Sequence, residues 1–229
     1  MRTFFKYYNP ISYYATRIKT KDNFKFLRFG DGQFISSIGE KKYCANCELG
    51  IEHRVFPELT KDMRHILGNL NPSHINALQW LSTTIPEIAD IIPDYPWHYS
   101  DVFHEASERG ELYRFFESLE SRNVVVVSRQ QTRAIKTIIH YSSFIEVKDV
   151  DCYFDKGYVL KKITEYPPDT VFLFAASALS VPAIYFSERT DCTMIDIGSL
   201  LDPYIGFKSR VYHKKMTAET IMKNIGATK

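Results

Sequence analysis

Short apolar runs alternate with helix-length amphipathic stretches along most of the chain. Residues 24–29 are an apolar run ending at Gly30-Asp31-Gly32, so a strand that stops in a turn is predicted. Phe56, Leu59, Met63, Ile66 and Leu67 recur three and four apart, which is one face of a helix, and Gly68-Asn69 ends it. Residues 75–81 fit either a strand or a helix. Residues 85–99 hold Pro86, Pro93 and Pro96 and are predicted as mostly loop. Leu112, Phe115, Phe116 and Leu119 mark another helix face. The valines at 124–127 are the continuous β-branched run of a strand buried on both faces. A helix over 132–140, strands at 144–147, 171–174 and 193–197, a helix over 178–187 with Pro182 in or near its first turn, and a terminal helix over 216–224 complete the pattern.

Strand and helix alternating in this way imply right-handed crossovers and a mainly parallel sheet covered by helices on both faces. Ligands of such sheets bind beyond the carboxyl ends of the strands. Four segments occupy those ends: Arg28 to Gly32, Ser128-Arg129-Gln130, Ala175-Ala176-Ser177, and Asp196-Ile197-Gly198-Ser199. Each is polar or built of small residues.

At the first of these, Gly30 and Gly32 allow close backbone approach, Asp31 presents a carboxylate to a metal or a ribose hydroxyl, and Arg28 suits a phosphate. The plainer reading is an Asp-Gly turn with a surface arginine. The last segment continues through Asp202, Pro203, Arg210 and Tyr212. Its Gly198-Ser199 pair offers N–H groups and a hydroxyl to an anion beside Asp196, and Arg210 can neutralise a diphosphate. An Asp-Pro turn with a structural ion pair is the alternative. Asp101 and His104, three apart, share one face of a helix that begins there and could pass a proton from an acceptor hydroxyl. Equally, Asp101 could be the N-cap of the helix that carries Leu112 to Leu119.

Composition narrows the class. The 229 residues are 45% hydrophobic and 24% charged, ordinary globular proportions for one domain spanning 1–229. With 29 basic and 27 acidic residues, the net charge of +2 does not announce a nucleic-acid binder. Arg122, Arg129 and Arg133 could still make a local basic face, or simply a solvated helix face and turn. Cys44 and Cys47 form a C-x-x-C, but Cys152 and Cys192 are far apart, so a zinc site is disfavoured and a reducing, cytoplasmic setting is expected. Residues 1–23 form an aromatic N-terminal segment without the apolar core of a signal peptide, and no run is long enough for a membrane span. Its aromatic residues suit packing on their own domain or a membrane-surface or partner face.

Arg28-Phe29-Gly30-Asp31-Gly32-Gln33 resembles the R-F-G-D-G-E signature of the GT-D family of nucleotide-sugar glycosyltransferases. Residues 195–203, with Arg210 and Tyr212 after them, are similar to the closing block of that family, and residues 101–105 and 124–128 fall in the family's order between the two. The resemblance spans roughly 24–215. It implies a single Rossmann-like domain that moves a sugar from a nucleoside diphosphate sugar, a UDP-sugar above all, to a hydroxyl. Arg28, Gly30, Asp31, Gly32, Gln33, Ser177, Asp196, Gly198, Ser199, Asp202, Arg210 and Tyr212 would bind the donor, with Asp31, Asp101 and His104 as catalytic candidates. The acceptor stays open among nucleic acid (a modified base), protein and soluble glycan, and host cytoplasm is the setting if the chain is virus-encoded. The family's acidic pair, tied to donor and divalent metal (Mn or Mg), maps to Asp31 and to Gln33, where glutamine replaces the second carboxylate. Metal dependence is thereby put in doubt. Alanines at 175 and 176 also stand where relatives tend to have glycine. Two rival readings remain: a nucleotide- or partner-binding module without catalysis, and an S-adenosylmethionine-dependent methyltransferase, which the few glycines at 30–32 fit poorly.

Overall fold

In the computed structural model, which describes residues 4–39, 55–208 and 210–226, eight strands form one sheet. They are β1 (Phe5–Tyr7), β2 (Lys25–Phe29), β3 (Ile75–Leu78), β4 (Trp97–Tyr99), β5 (Val124–Ser128), β6 (Ser143–Glu146), β7 (Val171–Ala175) and β8 (Thr193–Asp196). The helices are α1 (Ile11–Lys19), α2 (Asp31–Ile38), α3 (Pro57–Gly68), α4 (Pro86–Ala89), α5 (Val102–Arg109), α6 (Tyr113–Leu119), α7 (Lys156–Ile163), α8 (Ser180–Phe186) and α9 (Ala218–Asn224). The sheet order is β1-β4-β3-β2-β8-β7-β5-β6 and every adjacent pair is parallel.

The period of two along each strand divides the core. Leu27 and Phe29, Val125 and Val127, and Phe172 and Phe174 pack on one face against α2, α3, α7 and α8. Phe26, Val124 and Val126, Val171 and Leu173, and Ile195 pack on the other against α1, α5 and α6. Both faces are therefore covered, as the unbroken valines of β5 require.

Several local expectations change. Residues 85–99 are loop at eight of their fifteen positions but also hold two short regular elements. Pro86 opens α4 at the first helical position, where its missing N–H costs nothing, and Trp97–Tyr99 is a sheet strand. Gly110, at φ +74°, ends α5 and separates it from α6, so the helix after Asp101 is not the one carrying Phe115 and Leu119. The expected helix at 132–140 is a 3₁₀ segment, Gln130–Thr137. Within the aromatic N-terminal segment, β1 pairs with β4, and Ile11, Tyr14 and Ile18 of α1 are buried in the core. Arg122, Arg129 and Arg133 make no common basic face: Arg122 is buried on the carbonyls of Ile18 and Asp169, and the other two pair with acidic residues. Cys152 and Cys192 are buried free thiols, and the Cys44–Cys47 motif lies outside the described residues. Among the described residues no helix is long and apolar enough to cross a membrane.

Candidate active site

The sheet order makes β2 and β8 neighbours, so the loops that leave them, far apart in sequence, emerge side by side. A cleft of about 520 Å³ opens there, at the carboxyl ends of β2, β3, β5, β6, β7 and β8.

The exit of β2 is not a tight turn. Gly30 is extended (φ −106°, ψ −174°) and caps α2, so Asp31 and Gly32 are already helical. The Gly30 N–H donates to Gln33 Oε1 at 2.9 Å, the reciprocal half of a capping box, and the Gly32 N–H donates to Asp31 Oδ1 at 2.9 Å. A Cβ on Gly30 would lie 2.7 Å from Gln79 Oε1, which explains the close approach at this position. Arg28, one residue before the end of β2, points its Nη2 at Asp101 Oδ1, 3.7 Å away.

The exit of β8 meets it. Gly198 adopts φ +53°, its N–H donates to Asp196 Oδ1 at 3.0 Å, and a Cβ there would sit 3.1 Å from Arg28 Nη1. Ser199 Oγ and Tyr212 Oη are 2.6 Å apart, and the Arg210 N–H donates to His213 Nδ1 at 3.2 Å. At the end of β7, Ser177 holds the left-handed conformation (φ +46°) that side chains rarely adopt. At the end of β5, Arg129 bridges Asp149 (3.3 Å) and Asp202 (3.4 Å) and lies over the Phe207 ring at 4.5 Å. Apolar side chains also line the cleft: Phe56 just before α3, Leu59 and Met63 on α3, and Val147, Val150 and Tyr153.

Burial sets the protonation of this cluster. Asp196 is pushed up to about 7 by desolvation, opposed by Arg28 and by hydrogen bonds from Gly198 and Ser180. Desolvation likewise raises Asp101, opposed by Arg28. His104 is held well below its usual value by burial and by the charges of Arg28, His213 and Arg210, so its ring is neutral.

No family model and no curated protein matches the chain. Solved structures do. One, described as a new glycosyltransferase of domain of unknown function 1792 from Streptococcus sanguinis, shares 15% identity over 86% of this chain and 83% of that one, with a TM-score of 0.63. A selenomethionine-substituted structure of domain of unknown function 1792 shares 13% identity over 86% and 80%, with a TM-score of 0.65. A third structure of that domain, described as a distinct glycosyltransferase fold, gives 15%, 86%, 80% and 0.59. The fold is GT-D-like.

In this GT-D-like frame the residues singled out from the sequence separate into two layers. Arg28, Gly30, Asp31, Gly32, Gln33, Ser177, Asp196, Gly198, Ser199, Asp202, Arg210 and Tyr212 all line the one cleft. Asp101 and His104 lie behind its wall. Asp101 stands before α5 without capping it, because its side chain accepts the Trp80 N–H at 3.2 Å and faces Arg28. His104 is 6% exposed, meets the edge of Tyr212 at 5.0 Å, and has no hydrogen-bond partner on either ring nitrogen among the described residues. Neither lines the cleft; each contacts a residue that does, Asp101 facing Arg28 and His104 meeting Tyr212.

Gln79, the 147–153 segment and the side chains from the start of α3 are cleft residues that the sequence motifs did not point to, whereas Arg129 was marked there as a strand end without a donor-binding role. Gln79 follows β3 directly, a signal visible only once 75–81 is divided into strand and turn. The Gln33 carbonyl oxygen is turned back to the Gly30 N–H, Asp202 is paired with Arg129, and Asp196 keeps its proton to near neutrality. No cluster of three His, Cys, Asp or Glu side chains suited to a metal occurs among the described residues.

Proposed function

We propose that the protein is a glycosyltransferase that moves a sugar from a nucleoside diphosphate sugar, with a UDP-sugar as the first donor to test, to a hydroxyl acceptor. The observation that carries this reading is the meeting of the β2 and β8 exits in one cleft, which sets Arg28, Arg129 and Arg210 around a space of about 520 Å³. A departing diphosphate needs its growing charge neutralised by groups already oriented, and arginine forks match phosphate oxygens. Arg28 and Arg210 take that part. The Gly198-Ser199 turn and Ser177 cradle the phosphates, and Asp196, pushed up to about 7, in its protonated form donates a hydrogen bond instead of repelling them.

Asp31 receives the acceptor's proton. It lines the cleft at the exit of β2, in the first turn of α2 and within the block that resembles the family signature. Because the arginines supply the positive charge, turnover requires no divalent ion.

The test is release of UDP from UDP-sugars, with and without EDTA. Asp31→Asn should lower transfer roughly 100-fold or more while UDP affinity changes by no more than about threefold, and Arg210→Ala should weaken UDP binding roughly 10- to 100-fold. Turnover indifferent to both substitutions removes the central support. UDP binding with no turnover of any donor would replace catalysis by a nucleotide-binding role.

A further inference from the structure

Arg129 lines the cleft, yet the hold on the diphosphate described above falls to Arg28 and Arg210. Its place follows from register. Ser128 of β5 pairs with Ala175 of β7, so Arg129 leaves the sheet level with Ala176, beside the Ser177 turn. One strand spacing, about 4.8 Å, separates the two chain exits, well inside the length of an arginine side chain. On the other side of β7, Phe174 pairs with Asp196, which carries the same row of exits on to Gly198-Ser199. Arg129 therefore stands at the end of the row that cradles the phosphates.

Its carboxylate partners hold it loosely. Nη1 lies 3.3 Å from Asp149 Oδ1 and Nη2 lies 3.4 Å from Asp202 Oδ1. Both contacts are longer than the about 2.7–2.9 Å of a strong charge-assisted bond, and neither is bidentate. The two acids are mounted differently. The Asp202 side chain is 12% exposed and opens a 3₁₀ turn, Asp202–Ile205, whose Pro203 and Tyr204 are buried. The Asp149 side chain is 52% exposed and, among the described residues, is hydrogen-bonded to Arg129 alone. An ion pair with so exposed a partner contributes little and is broken at little cost. The Phe207 ring, 4.5 Å from the guanidinium, supports its flat face and leaves the N–H edge to the anions.

We infer that Asp149 is a built-in competitor of the donor. Its carboxylate takes the place on Arg129 Nη1 that a phosphate oxygen takes when the nucleotide binds, while Asp202 and Phe207 keep the guanidinium in position. Arg129 is then a third ligand of the diphosphate, and Asp149 sets the affinity and eases release of the spent nucleotide. This rests on the transferase reading. The sign of one substitution separates a competitor from a structural acid: removing a structural acid loosens the site and weakens binding, whereas removing a competitor tightens it.

The experiment is calorimetric titration of the full chain with UDP, comparing wild type, Asp149→Asn, Arg129→Ala and the double variant, with Tm measured for each. Asp149→Asn should tighten UDP binding roughly three- to tenfold, and Arg129→Ala should weaken it roughly tenfold. In the Arg129→Ala background, Asp149→Asn should change the affinity by less than about twofold. Should Arg129→Ala not fold, Arg129→Gln replaces it in both arms. Unchanged or weaker UDP binding in Asp149→Asn overturns the inference. An equal gain with and without Arg129 also overturns it, since Asp149 would then act by general charge repulsion. A wild type that fails to bind UDP overturns the transferase reading and this inference with it. One whose UDP affinity falls in Arg210→Ala but does not rise in Asp149→Asn overturns the competitor role alone.

Discussion

Asp196 ends β8 with its carboxyl buried beside Arg28, and desolvation outweighs the arginine enough to lift it to about 7. Its unfolded value is near 3.9, so between about pH 4 and 7 the folded protein holds a proton that the unfolded chain has released. Stability linked to this group is complete below pH 4 and is lost as pH rises through 7. The affinity for a diphosphate should follow the same course, because the ionised carboxylate repels it. UDP titrations at pH 6 and 8 should show weaker binding at pH 8, and Asp196→Asn should flatten that difference. Equal pH dependence in the variant would assign it to another group. Asp196 was legible from the sequence as a strand-terminal carboxylate. Its protonation was not, since that depends on burial by residues distant in the chain. His104 shows the same limit: its spacing from Asp101 is plain, but only packing places its neutral ring behind Tyr212.

At the scale of elements, α2 carries the clearest consequence. Gln33 stands where the resembling family has an acid, and the structure gives its amide a local task, accepting the Gly30 N–H. Gln33→Ala should cost about 1 kcal/mol, seen as a Tm lower by roughly 2–4 °C, while Gln33→Glu, which keeps the acceptor, should stay within about 1 °C. A Gln33→Ala protein as stable as the wild type would show that the cap is not formed. Long apolar runs such as 124–127 and 171–174 were readable as strands because burial on both faces leaves no ambiguity of period. The three-residue strands β1 and β4 were not, because short segments rich in tyrosine and proline carry no periodicity and are fixed by pairing with each other. The 3₁₀ segment Gln130–Thr137 read as an ordinary helix because its apolar spacing over eight residues fits either form.

At the scale of the molecule, the sheet order decides everything about the site. Two blocks separated by more than 160 residues meet only because β8 inserts beside β2. Alternation along the chain foretold a parallel sheet and directed attention to strand ends. It did not fix which ends are neighbours, since strand order follows from packing of helices on both faces. The cleft, the GT-D-like fold and the arginines form one account, and its centre is that Arg28 and Arg210 hold the same ligand. A double-mutant cycle read by calorimetric UDP binding tests this most directly. Wild type, Arg28→Ala, Arg210→Ala and the double variant should give non-additive losses, with a coupling of about 0.5 kcal/mol or more. Strictly additive losses, or no loss of UDP affinity from either substitution, would contradict it.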